Sequence, residues 1–294
     1  MEKTVSIIIP AYNAEKHIER MLNSILNQTY NEIECIIVND GSTDNTRKIL
    51  KQYEEIFIKD QKVLKIIEQE NGGQAAAVNN GLKYVTGEYF IWADADDFFE
   101  PNAFEYMVEY LENNKDIDLV RVNAIYRLEE NIEEIYQIKK QKEFKKCNIL
   151  DDYIMYREEK IPCYIGIIMT RFEYFKKKNK GLDINQSRVG QNLQLIIPIT
   201  YNAVAGCLDK DLYNYVIRKN SHSREKRNKI QKLKRMSDAR KLRLETINKV
   251  MEEKDRKKYV RIVNKKFYER CLKELFINSF KGLINRIKKL VKNK

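Results

Sequence analysis

Three carboxylates crowd the end of one apolar run. In "EYFIWADADDFFEPNA", the apolar stretch Tyr89 to Ala93 is followed at once by Asp94, Asp96 and Asp97, with Glu100 close behind. Charges this dense repel one another unless one carboxyl holds a proton or a cation sits between them. In an extended segment residues i and i+2 face the same side, so Asp94 and Asp96 aim two carboxylates at one point. Such hard oxygen donors suit Mg²⁺ or Mn²⁺, which keep open positions for phosphate oxygens. An ion there neutralises charge growing on a departing diphosphate, a Lewis-acid role. Asp97 and Glu100 have a simpler use, as caps of the helix that Pro101 opens.

The elements that position these carboxylates are legible upstream. "VSIIIP", "EIECIIVND", "VLKIIEQ" and "EYFIWAD" are short, apolar, β-branched or aromatic runs, and each is followed by a stretch of helical spacing or capping residues. This alternation predicts a parallel sheet covered on both faces, which binds ligands outside the carboxyl ends of its strands. The first end carries Pro10, Ala11, Tyr12, Asn13 and Glu15, and the second Asn39, Asp40, Gly41 and Ser42. The third carries Asn71, Gly72, Gly73 and Gln74, and the fourth Asp94, Ala95, Asp96 and Asp97. Taken singly, the glycines are turn residues and Asp40 or Asp44 a helix cap. Turns alone do not call for an aromatic, an amide and two acidic groups at one edge.

In order and spacing, "VSIIIPAYNAEKHIERMLNSILNQTY", "IIVNDGSTDNT", "NGGQAAAVNNGL" and "GEYFIWADADDF" resemble the motifs of family-2 glycosyltransferases, inverting enzymes of the GT-A fold. The resemblance runs over roughly Val5–Pro101 and weakens toward Ser223. It implies a GT-A α/β fold with a mostly parallel, Rossmann-like sheet and helices on both faces; beyond Ser223 the composition itself, with no Pro and a single Gly, adds a basic α-helical C-terminal extension. The resemblance implies that Pro10, Ala11, Tyr12, Asn13 and Glu15 line a base and ribose pocket, and that Asp40 hydrogen-bonds the base, usually uracil. Asn71 and Gly73 would border that pocket. Asp94, with Ala95 beside it, would lie near ribose or metal, and Asp96 would be the principal ligand of Mn²⁺ or Mg²⁺. His222, in "NSHSRE", matches a segment where some relatives place a further metal ligand or diphosphate contact; a solvated loop histidine is the plain alternative.

Two departures stand out. The family commonly has Arg before Asn in the third motif, where this chain has Val78 before Asn79. Relatives also open a helix in the second half with Gly-Glu-Asp, whose Asp is the general base. Here Gly190 is followed by Gln191 and Asn192, and an amide cannot take the acceptor's proton. Another carboxylate does so (Asp183 upstream, Asp209 or Asp211 downstream), or the acceptor needs little help, or the chain is not catalytic. Gln191 and Asn192 then have a use in binding acceptor hydroxyls. Arg218 and Arg224 either reach the diphosphate or begin the basic tail, and His17 is placed on a solvated helix face.

Charge divides the chain. Residues 221–294 hold 26 Lys and Arg against 8 Asp and Glu, a net of +18, while residues 1–220 carry a net of −6. We expect a GT-A domain over 1–222 (nucleotide-binding half 1–101, acceptor half 102–222) and a basic helical module over 223–294. In "LFINSFKGLINRIKKLVKNK", Phe276, Ile277, Phe280, Leu283, Ile284, Ile287, Leu290 and Val291 form one apolar helical face, with lysines mostly elsewhere. Such a helix can lie in an anionic membrane surface, or pack on the protein's own core or a second copy in a homo-oligomer. No recognition motif points to nucleic acid. Five scattered cysteines without CxxC spacing, no signal-peptide pattern and no run of about 20 apolar residues predict a cytoplasmic protein, peripheral on the inner face of the cell membrane. The expected activity moves a sugar from a UDP-sugar to a glycan or lipid-linked glycan hydroxyl in surface-polysaccharide assembly. A non-catalytic subunit partnering an active transferase is the alternative. A nucleotidyltransferase fits less well, for want of a basic glycine loop after the first strand.

Overall fold

The computed structural model describes residues 3–140, 165–179, 184–185, 187, 189–219 and 227–292, the side chains of Gln191 and of 276–292 excepted. The stretch "LDDYIMYREE" (150–159), whose pattern reads as helical, and Asp183, His222 and Arg224 lie outside these residues.

The predicted strands and helices alternate as expected through β1 (Val5–Ala11), α1 (Ile18–Leu26), β2 (Ile33–Asp40), α2 (Thr46–Lys59), β3 (Val63–Gln69), α3 (Gln74–Leu82) and β4 (Tyr89–Trp92). These strands lie in the order β3-β2-β1-β4, all parallel. Side chains of a strand alternate between faces. Val5, Ile7, Ile8 and Ile9 are all fully buried, as are Cys35 to Val38, so both faces of the sheet centre are covered. Helix α1 buries Ile18, Met21, Leu22 and Ile25 completely, each worth about 1.5–3 kcal/mol at full burial. Parallel pairing puts the carboxyl ends of β1 to β4 on one rim.

After β4 the chain makes β5 (Phe98–Phe99), α4 (Ala103–Asn113), β6 (Leu119–Leu128), β7 (Asn131–Lys139), β8 (Ile168–Arg171), α5 (Phe172–Lys178), α6 (Gln191–Thr200) and β9 (Ala205–Ile217). Here the sheet is mixed: β8 pairs antiparallel with β4 and β6, β7 antiparallel with β6, β9 parallel with β6, and β5 antiparallel with β9. The last strand, which the apolar pattern of "DLYNYVIR" places at Asp211–Arg218, begins at Ala205, and the pairing of Phe98 and Phe99 with Asn214 and Tyr213 leaves no local signal. Two strand residues are too few to show a period of two.

Two helices end the chain, α7 (Lys229–Val250) and α8 (Glu253–Lys292). Asn228 and Gln231 form a reciprocal capping box at the start of α7. The two helices pair through Lys232–Glu274 and through Arg240, which donates to Asn264 and lies over Phe267. Ile247, Met251, Tyr259 and Val263 join the main core, and Tyr201 donates to Asp255 at 2.8 Å. No helix among the described residues is long and apolar enough to cross a membrane.

A tight contact at Gly166 supports the site. A β-carbon there would lie 2.3 Å from the ring of Tyr213, which holds Asp97. Gly166→Ala is expected to cost about 1–3 kcal/mol by overpacking, read as a lower midpoint in urea unfolding.

Candidate active site

A run of hydrogen bonds links all four strand ends. From the first end, Asn13 accepts from Thr43 N and its own amide donates to Ser42 Oγ, while Glu15 accepts from the Asn45 backbone and side chain. From the second, Asp40 Oδ1 accepts from Gln69 Nε2 at 2.6 Å and Gly72 N at 2.8 Å, and Oδ2 from Gly73 N at 2.8 Å. Asn71 Nδ2 returns a bond to the Asp40 carbonyl. From the third, Gln74 Nε2 donates to Asp94 Oδ1 at 2.8 Å. One connected rim thus carries Pro10, Ala11, Asn13, Glu15, Asp40, Asn71, Gly73, Asp94 and Ala95, with Tyr12 standing out of it, 53% exposed.

Local backbone explains two of these positions. Asn13 takes a left-handed φ of +48° and Gly73 one of +84°. Asn and Gly are the residues that adopt this region most readily, and Gly73 begins α3 with its amide on Asp40. Asp40, expected on the base, has both oxygens engaged by the third loop. It holds that loop against the end of β2.

Carboxylate oxygens of Asp94, Asp96 and Asp97 lie within 4.8 Å of one another. Asp97 is buried: Tyr213 Oη donates to its Oδ2 at 2.5 Å and Val216 N to its Oδ1 at 2.8 Å. It ties the rim to β9 and does not cap α4. Nor does Glu100, whose carboxylate accepts from Asn214 Nδ2. These corrections have one cause. Strand β5 intervenes before the helix and turns both side chains toward β9. Asp94 and Asp96 remain facing the rim.

Burial, and then the neighbouring Asp96 carboxylate, push Asp94 up to about 7. Asp97 is raised too, by burial first and then by Asp96 and Asp94. A carboxyl raised above its unfolded value gives stability that is complete below the unfolded pKa and is lost as pH rises through the folded one. The metal-free melting temperature should therefore fall between about pH 4 and pH 7. Asp94→Asn should flatten that slope in thermal unfolding across the range.

Sequence reasoning missed the basic partners of this cluster. Arg218, the residue after β9, forms an ion pair with Asp96 Oδ2. Its Nη1 lies 3.5 Å from His17 Nε2, which is 3.6 Å from Glu129 Oε1. Arg20 Nη2 donates to the Asp96 carbonyl at 2.5 Å. His17 is therefore not on a solvated face: its side chain is 12% exposed, because α1 turns it toward the end of β9. Burial and the Arg218 guanidinium push its imidazole below the ordinary value. No local signal pairs position 17 with position 218.

In the second half of the chain, Gly190 has a left-handed φ of +66° at the start of α6, and Asn192 stands half-buried in its first turn. Asn123 Nδ2 donates to Asp209 Oδ1 at 2.7 Å and to Asp211 Oδ1 at 2.8 Å. Val78 is fully buried, and Asn79 donates to the Ile184 carbonyl and accepts from its amide.

A parallel half-sheet with a bridged rim, continued by a mixed half-sheet that supplies partners to its aspartates, defines a GT-A glycosyltransferase fold. The chain belongs to glycosyl transferase family 2, whose profile matches residues 6–178. It is 41% identical over 105 residues to the glycosyltransferase GlyA of Streptococcus pneumoniae, and 44% identical over 113 residues to an uncharacterized glycosyltransferase of Haemophilus influenzae. These matches take in 36% and 38% of this chain and span only 14% and 34% of the relatives' lengths. Among solved structures, S. aureus TarS 1–349 in complex with UDP-GlcNAc superposes with a TM-score of 0.67 at 22% identity, covering 90% of this chain and 73% of that one. The mannosyltransferase PcManGT from Pyrobaculum calidifontis, in complex with GDP-Man and Mn²⁺, gives 0.64 at 16% identity, covering 99% and 81%. At these identities the likeness establishes the fold.

Proposed function

We propose that this chain is a metal-dependent inverting glycosyltransferase that moves a sugar, hexose or N-acetylhexosamine, from a UDP-sugar to a hydroxyl of a glycan or lipid-linked glycan. The observation that carries the reading is the aspartate cluster, opening on a rim whose four strand ends are bonded to one another. Tyr12 offers an aromatic face to a base, and the Asn71–Gly73 loop, held by Asp40, borders it. Asp94 and Asp96 would hold the divalent ion, Mn²⁺ or Mg²⁺; their oxygens are hard donors, and the upward push on Asp94 is the strain a cation would relieve. Such an ion supplies Lewis-acid stabilisation of the leaving diphosphate.

In the transfer, the acceptor hydroxyl oxygen would bond to the anomeric carbon as the bond to the diphosphate breaks on the opposite side, the diphosphate leaving with the bonding electron pair and the hydroxyl proton passing to solvent water. Positioning and leaving-group stabilisation can carry much of such a rate. A general base typically adds about 10²–10⁴-fold, and Asn192 cannot provide it. Gln191 and Asn192 at the start of α6 would instead bind acceptor hydroxyls. The basic stretch 276–292, helical in α8, would hold the protein on an anionic inner membrane surface, where lipid-linked acceptors lie, in surface-polysaccharide assembly.

Calorimetric titration with UDP, with and without Mn²⁺, tests this reading. Metal-dependent UDP binding is expected; its absence sinks the proposal. The amides at 191–192 favour a second reading, a sugar-nucleotide-binding subunit without catalysis. Donor hydrolysis or transfer that vanishes in Asp96→Ala excludes it.

A further inference from the structure

We propose that Arg218 is a built-in counter-cation of the aspartate cluster, which leaves Asp96 when the divalent ion and the donor diphosphate arrive, and that His17 positions it. This rests on the metal and donor reading of the site. It adds that ion binding is an exchange of one cation for another rather than the filling of an open seat.

Three observations carry it. The guanidinium sits on Asp96 Oδ2, on a carboxylate of the same cluster that would ligate the ion, so the two cations compete for one carboxylate and repel each other. The guanidinium is loosely satisfied. Its Nε is buried without a hydrogen-bond partner among the described residues, and Nη1 has only a long 3.5 Å contact with His17. Finally, Arg218 lies just past the last residue of β9, outside the strand pairing, so its side chain can change partner without breaking the sheet. By contrast, the Asp96 main chain stays fixed by Arg20 on its carbonyl.

A displaced guanidinium beside a diphosphate finds two oxygens spaced for its fork. The charge arithmetic favours this order of events. Metal alone must evict Arg218 with nothing to receive it, whereas metal with nucleotide gives the guanidinium a new anion. Arg218 would thus suppress binding of free metal and promote binding of the metal–diphosphate pair. On the other side of the guanidinium, His17 is braced by Glu129 and sets where Arg218 rests when the site is empty of donor.

The test is Mn²⁺ binding by electron paramagnetic resonance, without nucleotide, alongside UDP titration at saturating Mn²⁺. Arg218→Gln is expected to bind Mn²⁺ alone about three- to tenfold more tightly, as expected for releasing a half-buried ion pair, while UDP binds roughly tenfold more weakly. Arg218→Lys keeps the charge but loses the fork, so both changes should be smaller; it serves if the Gln variant does not fold. His17→Phe should raise Mn²⁺ affinity in the same direction. Mn²⁺ affinity unchanged or lowered in the Arg218 variants, with wild-type Mn²⁺–UDP binding intact, overturns this inference alone. No Mn²⁺ binding by the wild type even with UDP overturns the donor reading and this inference with it.

Discussion

Asp96→Ala is expected to reduce UDP binding in the presence of Mn²⁺ to the level seen without metal, and to lower sugar transfer roughly 10³-fold or more. Lewis-acid stabilisation of a leaving group is worth several kcal/mol, and each 1.36 kcal/mol of barrier is about tenfold in rate. The fold should survive the change, which separates this loss from unfolding. Asp96 is the main charge raising Asp94 and Asp97, so its removal relieves repulsion between neighbours. Against that, Arg218 loses its ion-pair partner. The two effects oppose, and the metal-free melting temperature should move little. Calorimetry and thermal unfolding on the same preparation check both halves. A variant that unfolds, or one that keeps metal-dependent UDP binding, contradicts the role assigned to Asp96.

Asp40→Asn is expected to have the largest effect on stability of any rim substitution, about 2–4 kcal/mol. The side chain is 2% exposed and its two oxygens receive three donors: Gln69 Nε2, Gly72 N and Gly73 N. An asparagine keeps one acceptor oxygen and points an NH₂ group at a backbone amide, donor against donor, with no water to take either. The Asn71–Gly73 loop should then lift from β2, and α3, whose first turn hangs from Gly73, should loosen with it. Urea unfolding measures the stability loss. Faster amide exchange at Gly72 and Gly73 would localise it. Intact stability with a selective loss of UDP affinity would show instead that Asp40 serves the base directly.

The donor half of this fold was legible because its signals are local. A β-branched run buried on both faces, a glycine turn and a capped helix each announce themselves within a few residues, and β1 to β4 repeat that pattern. The carboxyl-end rule then gathered Tyr12, Asp40, Gly73 and Asp94 on one edge. What stayed hidden was pairing at a distance. Asp97 looked like a helix cap because Pro101 follows it; its partners, Tyr213 and Val216, lie in another strand. His17 looked solvated because α1 is amphipathic and position 17 precedes its first buried residue, Ile18. Its contact with Arg218 joins residues 201 apart, and nothing in the spacing of either segment specifies it. Likewise β5 and β8 are two and four residues long, shorter than the periodicity that would reveal them.

The tether from Asp97 to β9 has a consequence for how the chain is made. Its two bonds join residues 116 and 119 positions apart. At synthesis rates of about 5–20 residues per second, the carboxyl emerges on the order of ten seconds before its partners do. During that interval the first four strands can already pair with one another, because all four precede Asp97 in the chain. Asp97 meanwhile has no tyrosine to cover it, and as a solvated carboxylate it resists being drawn inward. Completion of the rim is thus timed by the arrival of β9, and a nascent chain halted before position 213 would carry an ordered sheet with an unfinished edge.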